Sequence, residues 1–335
     1  MEKKLATARP RYFYELTISS SPHVHSPVTT QTIMRDVLIA LLPALIGSVY
    51  FFGFRARAVT AVSAAACVFF EWAWCKLLKV ADHTYDLSAV VTGVLLAFVC
   101  PVTIPFWTII LGDFFAIILV KMLFGGIGKN FVNPALAGRA FMFSWPVLMT
   151  AWTKPGFANA VSIFAPDAVS TATPLYQMNQ GQLPALRDLF FGNIAGCIGE
   201  TSVLLLLIGF VYLLIRRVIT VRIPLSYILA VAVLTFLFPG KDQNASQWML
   251  CQIFSGGLML GAIFMATDYV TSPLTHKGQI IYGIGCGVLT VMIRRFGSYP
   301  EGVSYAILVM NTCVVLLDRL GRPTKFGAPK KEAKK

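Results

Sequence analysis

The sequence has little charge. Only 13% of its 335 residues are charged, whereas 56% are hydrophobic, and the mean hydropathy is +0.71. A soluble globular protein does not tolerate so apolar a composition, so lipid must solvate much of this chain. The net charge of +13 does not indicate nucleic-acid binding either, because the basic residues stand at the ends of apolar runs instead of clustering with aromatics on a soluble face. We therefore expect a membrane protein with no nucleic-acid partner.

Paired cysteines and a signal peptide are lacking as well. None of the seven cysteines is spaced as CxxC, and they are scattered through apolar segments, which favours packing thiols over disulfides or a metal site. The first apolar run starts near Val37, after a polar stretch that contains several basic residues. We therefore expect no cleaved signal and a cytoplasmic N-terminus.

What the sequence does have is long apolar runs. Ten of them approach the roughly 20 residues that a bilayer-spanning helix needs. They lie at about 36–54, 57–77, 86–104, 105–124, 134–152, 191–215, 223–239, 247–267, 278–296 and 302–319. Cys100-Pro101 and Thr271-Ser272-Pro273 interrupt the third and the eighth, which predicts broken or re-entrant helices there.

The distribution of basic residues orients these ten segments. With the N-terminus inside, 21 of the 28 Lys and Arg fall on the inner side and 7 on the outer side. This bias satisfies the positive-inside rule and predicts that both termini are cytoplasmic. Arg294 and Arg295 lie on the outer side against the bias, which indicates a function, a packed pair or a misplaced boundary.

One long polar connection, from Trp152 to Leu189, falls on the outer side, and loops of this length usually carry function or are disordered. It divides the chain into two sets of five segments. The predicted parts are a cytoplasmic N-terminal segment (1–35), a first five-helix repeat (36–152), an external loop (153–189), a second five-helix repeat (190–319) and a basic cytoplasmic tail (320–335).

The two sets resemble each other. Residues 91–105 can be laid over residues 259–273, which matches Gly93 with Gly261 and Pro105 with Pro273. Because each set has an odd number of segments, the two copies must cross the membrane in opposite directions. The predicted fold class is therefore an all-α polytopic membrane protein of about ten transmembrane helices in two inverted repeats of five, with interrupted helices. Such repeats place a solute or ion path at their interface.

The external loop contains Asp-Ala-Val-Ser-Thr-Ala-Thr at 167–173, followed by Pro174. Its simplest interpretation is a solvated Ser/Thr-rich turn. A hydroxyl on such an external segment can, however, be reached by a modifying enzyme.

This motif resembles the flavin-attachment sequence Asp-Gly-x-Ser/Thr-Gly-Ala-Thr of a known family. The family comprises the D subunit of the Rnf complex, an ion-translocating ferredoxin:NAD oxidoreductase, and the B subunit of the sodium-translocating NADH:quinone oxidoreductase. In the family, a flavin transferase joins FMN through its phosphate to the last threonine. The resemblance implies covalent FMN at Thr173, with Asp167 and Ser170 in the attachment motif. Ala168 and Thr171 stand where the family has glycine, and the hydroxyl of Thr171 is a second candidate acceptor.

Two further stretches carry the resemblance over nearly the whole chain. The first, residues 125–141, contains Asn133-Pro134, which is expected to start a helix whose N–H groups face a flavin or an ion. A Gly-rich turn between helices is the alternative. The second, residues 264–274, contains Asp268, which is costly in hydrocarbon and is expected at an ion path, a flavin or a helix end.

Four more ionisable residues lie at membrane depth: Glu71, Asp113, Lys121 and Glu200. Each is a candidate for an ion path or for a structural hydrogen-bonding role. Asp113 and Lys121 are two turns apart on one helix, which is too far for an ion pair between them.

The resemblance implies a membrane subunit of an Rnf complex in the bacterial cell membrane, with FMN on the outer face and a second, non-covalent flavin such as riboflavin among the helices. Sodium ions or protons would cross the membrane as electrons pass. Other Rnf subunits would bind NAD and ferredoxin, because no GxGxxG fingerprint follows a strand here. The alternatives are a B-like subunit of the quinone reductase, disfavoured by the short N-terminal segment, and a urea-transporter-like channel without flavin.

Overall fold

The computed structural model describes residues 28–79, 84–153, 155–156, 172–240, 243–297 and 302–321. Within these ranges the chain is built from helices, as the sequence predicts. The elements of the first half are α1 (Thr30–Phe52), α2 (Phe54–Leu78), α3 (Ser88–Phe98), α4 (Phe106–Phe114), which continues as a π-helical stretch (Phe115–Met122), α5 (Pro134–Met142) and α6 (Pro146–Met149).

The second half begins with two short helices, which are followed by further long and short elements. These are α7 (Pro174–Asn179), α8 (Leu186–Phe191), α9 (Val203–Ile215), α10 (Arg222–Leu237), α11 (Ala245–Phe254), α12 (Leu258–Leu260), which continues as a π-helical stretch (Gly261–Met265), α13 (His276–Phe296) and α14 (Val303–Leu320). Every one of the ten predicted apolar runs therefore contains a helix.

Fewer of these helices than predicted are long enough to cross a bilayer alone. Among the described residues, four meet that test by length and composition: α1, α2, α13 and α14. A fifth span results if α11 and α12 are taken together, although they are bent by 62°. The other apolar runs form the shorter helices α3, α9 and α10 and connected pieces around α4 and α5.

The predicted sixth segment, 191–215, is wrong in its first half. Helix α9 begins only at Val203. The residues before it lie against the end of α3. Ile198 N donates to Cys100 O at 3.0 Å and Gly199 N donates to Phe98 O at 2.9 Å. A Cβ on Gly199 would stand 2.2 Å from Phe98 Cγ, so only glycine allows this close approach.

The interruption of the eighth segment lies earlier than predicted. Helix α11 ends at Phe254, and Gly256 and Gly257 take φ angles of 64° and 68° before α12 begins. This left-handed conformation favours glycine and breaks the helix. Thr271-Ser272-Pro273 instead follows the end of α12 and belongs to its connection with α13, so the predicted site of the break is corrected to Gly256-Gly257.

Two buried arginines bind the backbone of the interrupted helices. Arg55 at the start of α2 donates from Nε to Val102 O at 2.8 Å and from Nη2 to Ile104 O at 3.0 Å, just after α3. Arg294 near the end of α13 donates to Gln252 O at 2.6 Å and to Ser255 O at 3.0 Å, at the break after α11. Carbonyls released at a helix end need such donors where water is excluded. The position of Arg294 against the charge bias is thus explained by packing.

One hydrophobic core joins the two halves. Its fully buried members come from α3, α5, α12 and α13 alike, and include Leu96, Leu136, Leu260 and Tyr282. The two short apolar helices α3 and α12 lie in this shared core, and the candidate sites lie at their ends.

Candidate functional site

Thr173 begins helix α7. Its Oγ1 accepts a hydrogen bond from Tyr176 N at 3.3 Å, and Pro174 occupies the first helical position. A threonine followed by proline is a typical helix start. The hydroxyl accepts a hydrogen bond from an N–H of the first turn, and proline has no N–H that would lack a partner. Thr173 is half-exposed. Asp167, Ser170 and Thr171 lie outside the described residues.

Thr173 lines a crevice that also contains Glu200 and Gly256. We call this the Thr173 crevice. The structure therefore brings together two of the candidate residues, Thr173 and Glu200, which are far apart in the sequence. Glu200 is buried, and its Oε1 accepts from Cys197 N at 3.3 Å. The break after α11 forms the opposite wall, and Arg294 Nη2 donates to Gly256 O there at 3.3 Å.

Asn133 and Asp268 share a second cavity, which we call the Asp268 cleft. Its cavity volume is about 90 Å³. The polar groups that converge on it include Ser88, Lys121 and Thr92. The remainder of the lining is largely apolar, which is the composition of a typical small-molecule or cofactor site.

Asn133 caps helix α5 as its sequence predicts. Its Oδ1 accepts from Ala135 N at 3.0 Å and from Leu136 N at 3.3 Å, and its Nδ2 donates to Met265 O at 3.3 Å. These backbone N–H groups are satisfied by Asn133 itself, so the expectation that they face a ligand is wrong. Asn133 instead ties α5 of the first half to the end of the π-helical stretch after α12.

Asp268 lies in the irregular connection between α12 and α13 and is half-buried. Its Oδ2 accepts from Thr271 Oγ1 at 2.9 Å. Burial raises the pKa of the Asp268 carboxyl above its ordinary value, while hydrogen bonds from Thr271 and from nearby backbone N–H groups act in the opposite direction. It does not cap α13, because Thr275 does so.

The two cavities lie at opposite ends of α3 and α12. Helix α3 starts at Ser88 in the Asp268 cleft and ends at Phe98, which binds Gly199 next to the Thr173 crevice. Helix α12 starts beside Gly257, next to the crevice, and its π-helical continuation ends at Met265, beside Asn133. At 1.5 Å per residue the two helices measure about 12–16 Å. They also run in opposite directions, as the aligned repeats require.

A comparison with protein-family models decides the family. The model described as "NQR2, RnfD, RnfE family" matches residues 17–327. The chain belongs to the NQR2, RnfD, RnfE family.

Curated relatives place it with the D subunits in that family. It is 47% identical, over 95% of its length and 98% of the relative's, to the D subunit of the Na(+)-translocating ferredoxin:NAD(+) oxidoreductase complex of Acetobacterium woodii. It is 41% identical to the D subunit of the proton-translocating complex of Clostridium ljungdahlii, over 93% and 96% of the two chains. The D subunit of the ion-translocating oxidoreductase complex of Actinobacillus succinogenes is 34% identical over 92% and 97%.

The sequence did not predict which ionisable residues of this RnfD-type chain pair with each other. Lys121 Nζ lies 2.9 Å from both carboxylate oxygens of Glu71, and both side chains are buried. Asp113 lies apart from this pair and binds Ser63 and Cys67. The partners are about 50 positions apart in the sequence, and only the packing of α2 against α4 brings them together.

Proposed function

We propose that this protein is the D-type membrane subunit of an Rnf-type ion-translocating ferredoxin:NAD oxidoreductase complex, carries FMN covalently on Thr173, and couples electron transfer to the movement of sodium ions or protons. The observation that carries the proposal is the position of Thr173. In a chain similar over its whole length to Rnf D subunits, the last hydroxyl of the attachment motif starts a helix at the edge of a crevice.

The geometry of Thr173 suits a phosphoester. Its Oγ1 accepts the hydrogen bond from Tyr176 N, and esterification replaces the hydroxyl hydrogen while leaving an oxygen that still accepts. The N-terminus of a helix also favours a negative group electrostatically. The modification is therefore compatible with the local fold. When bound there, FMN supplies the electron-transfer chemistry, and the protein fixes and surrounds it.

The Asp268 cleft is the candidate site for a second, non-covalent flavin such as riboflavin. Its lining is largely apolar with a few convergent polar groups, as in typical ligand sites. Asn133, Asp268 and Ser88 supply polar groups among apolar neighbours. With this arrangement α3 and α12 lie between the two flavin sites.

We further propose the orientation predicted from the charges, with both termini cytoplasmic and the 153–189 loop outside the bacterial cell membrane. The charge count places both Arg55 and Arg294 on the outer side. Their burial supports the orientation, because both arginines bind helix ends and are not loop charges. The Thr173 crevice then faces outward and the Asp268 cleft inward. Other Rnf subunits bind NAD and ferredoxin, and a flavin transferase loads Thr173.

In-gel flavin fluorescence tests the proposal. The chain is coexpressed with a flavin transferase, denatured, and compared as wild type, Thr173→Ala and Thr171→Ala. We expect a fluorescent band for wild type and for Thr171→Ala, and none for Thr173→Ala. The absence of a band in wild type contradicts the covalent flavin, and a band lost only in Thr171→Ala assigns the other hydroxyl.

The coupling ion is tested on the purified complex in liposomes. The relatives include both a sodium-translocating and a proton-translocating complex, so relationship alone favours neither ion. Ion uptake driven by reduced ferredoxin and NAD is measured with and without sodium. Uptake that requires sodium identifies a sodium pump, and uptake without it identifies a proton pump. Ferredoxin:NAD oxidoreduction without any ion movement contradicts the coupling.

A further inference from the structure

A stripe of polar side chains runs between α2 and α4 inside the first half. Ser63, Cys67 and Glu71 follow one another at four-residue intervals, so they share one face of α2, and all three are buried. Asp113 and Lys121 face them from α4 and its π-helical continuation. We call these five residues the polar stripe. It extends over about 12 Å of a hydrocarbon core that is about 30 Å thick.

The Lys121 end of the polar stripe opens to the Asp268 cleft. The Lys121 ammonium donates to both oxygens of Glu71 at 2.9 Å and to Ser88 Oγ at 2.6 Å. Ser88 Oγ in turn donates to Asp86 Oδ1 at 2.5 Å. Since Lys121 and Ser88 also line the cleft, a chain of hydrogen bonds links the interior of the first half to that cavity.

The other end holds an incompletely bonded carboxyl group. Asp113 is fully buried, and its Oδ1 accepts from Ser63 Oγ at 2.7 Å and from Cys67 Sγ at 3.2 Å. Its Oδ2 is also buried and has no hydrogen-bond partner among the described residues. A charged carboxylate in that position would cost far more than a neutral acid. Oδ2 is therefore the natural place for an exchangeable proton.

A purely structural role explains these residues poorly. A buried ion pair such as Glu71–Lys121 is often no more stable than an apolar pair of the same volume. Lys121 also lies in a π-helical stretch, an irregularity that occurs frequently at functional sites. Intramembrane carboxylates and their partners are typical of proton relays.

We propose that the polar stripe is a proton pathway through the first half, whose Lys121 end opens into the Asp268 cleft. This pathway rests on the proposed function in one respect, since the redox reaction of the complex drives the movement of the protons. In the observed arrangement a proton moves from Lys121 to Ser88 as Ser88 passes its own to Asp86. The Glu71 carboxylate then receives a proton from the acid form of Asp113, relayed by the Cys67 thiol or an entering water molecule, and passes it to the neutral amine of Lys121. Only N–H, O–H and S–H bonds change, and no electrons are transferred.

Ile117 separates the two ends of this pathway. It lies four residues from both Asp113 and Lys121, is fully buried, and packs with Cys67 and Ala89. Protons cross this point through the Cys67 thiol or an entering water molecule. The apolar contact prevents a leak when no reaction drives the transfer.

Redox-difference infrared spectroscopy of the complete purified complex tests the Asp113 end. We expect a carboxylic-acid C=O band that changes on reduction, shifts in D₂O and is absent from Asp113→Asn. Asp36→Asn is the matched control, because Asp36 pairs with Arg216 away from the stripe, and it should retain the band. A wild-type spectrum without this band, or an unchanged band in Asp113→Asn, overturns the assignment.

Proton flux per electron in liposomes tests the Lys121 end. Glu71→Gln and Lys121→Met should each lower it at least about tenfold. If the pair were merely structural, the double variant, which removes both charges, would recover wild-type flux; the pathway predicts that it does not. Subunit composition on native gels shows that the variants assemble. If wild type oxidises ferredoxin and carries covalent flavin but moves no protons, the pathway is refuted while the proposed function stands.

Discussion

Replacing Arg294 should lower the free energy of unfolding, because Arg294 binds the interrupted helix. Its guanidinium donates to Gln252 O, Gln252 Oε1, Ser255 O and Gly256 O at 2.6–3.3 Å. Arg294→Ala removes these donors and leaves buried acceptors unsatisfied. Hydrogen bonds to a charged group contribute about 1.5–3 kcal/mol each but are not additive, so we expect a loss of about 3–5 kcal/mol in the free energy of unfolding.

The assay is thermal unfolding in detergent, followed by size-exclusion chromatography of the heated sample. At about 2 °C per kcal/mol for a chain of this size, the midpoint should fall by roughly 6–10 °C. Arg295→Ala is the matched control, because exposed Arg295 makes one hydrogen bond at 3.0 Å to Phe238 O and lies over the Phe238 ring. Its midpoint should change by less than about 2 °C.

The same variants test the link to the crevice. Gly256, which Arg294 holds, lines the crevice beside Thr173. Flavin incorporation should therefore fall in Arg294→Ala and stay normal in Arg295→Ala. Equal melting midpoints for the two variants would refute the role of Arg294 at the break.

Two further substitutions test the ends of the short helices. Gly199→Ala forces a Cβ to within 2.2 Å of Phe98 and should cost about 1–3 kcal/mol, whereas Gly196→Ala, which meets its nearest atom at 3.5 Å, should be neutral; equal melting midpoints contradict the close approach. Asn133→Ala should cost about 1 kcal/mol through the lost cap of α5 and release the non-covalent flavin on purification, because the contact with Met265 shapes the cleft. Retention of that flavin at wild-type occupancy argues against the second site.

Local signals in the sequence predicted local structure well. Asn133-Pro134 was expected to start a helix and does so, because an asparagine cap and a following proline act within one turn. Each of the ten apolar runs likewise contains a helix. Where capping and composition determine a feature, neighbouring residues suffice to predict it.

Features that depend on distant partners were missed. The 191–202 stretch is apolar, yet it forms hydrogen bonds with the end of α3 and does not continue α9. The break at Gly256-Gly257 depends on Arg294, which binds the carbonyls of Ser255 and Gly256 from a different helix. Lys121 and Glu71 are separated by about 50 positions, so periodicity within one helix cannot reveal their pairing.

Peptide mass spectrometry of the purified wild-type complex tests whether FMN is bound covalently at Thr173. Trypsin cleaves poorly at Lys154, which precedes Pro155, so the loop is recovered on the peptide that follows Arg139 and ends at Arg187. We expect this peptide to carry the mass of FMN less one water, and we expect fragmentation to place the added mass on Thr173. An unmodified peptide, or FMN located on Ser170 or Thr171, would refute the attachment of FMN at Thr173.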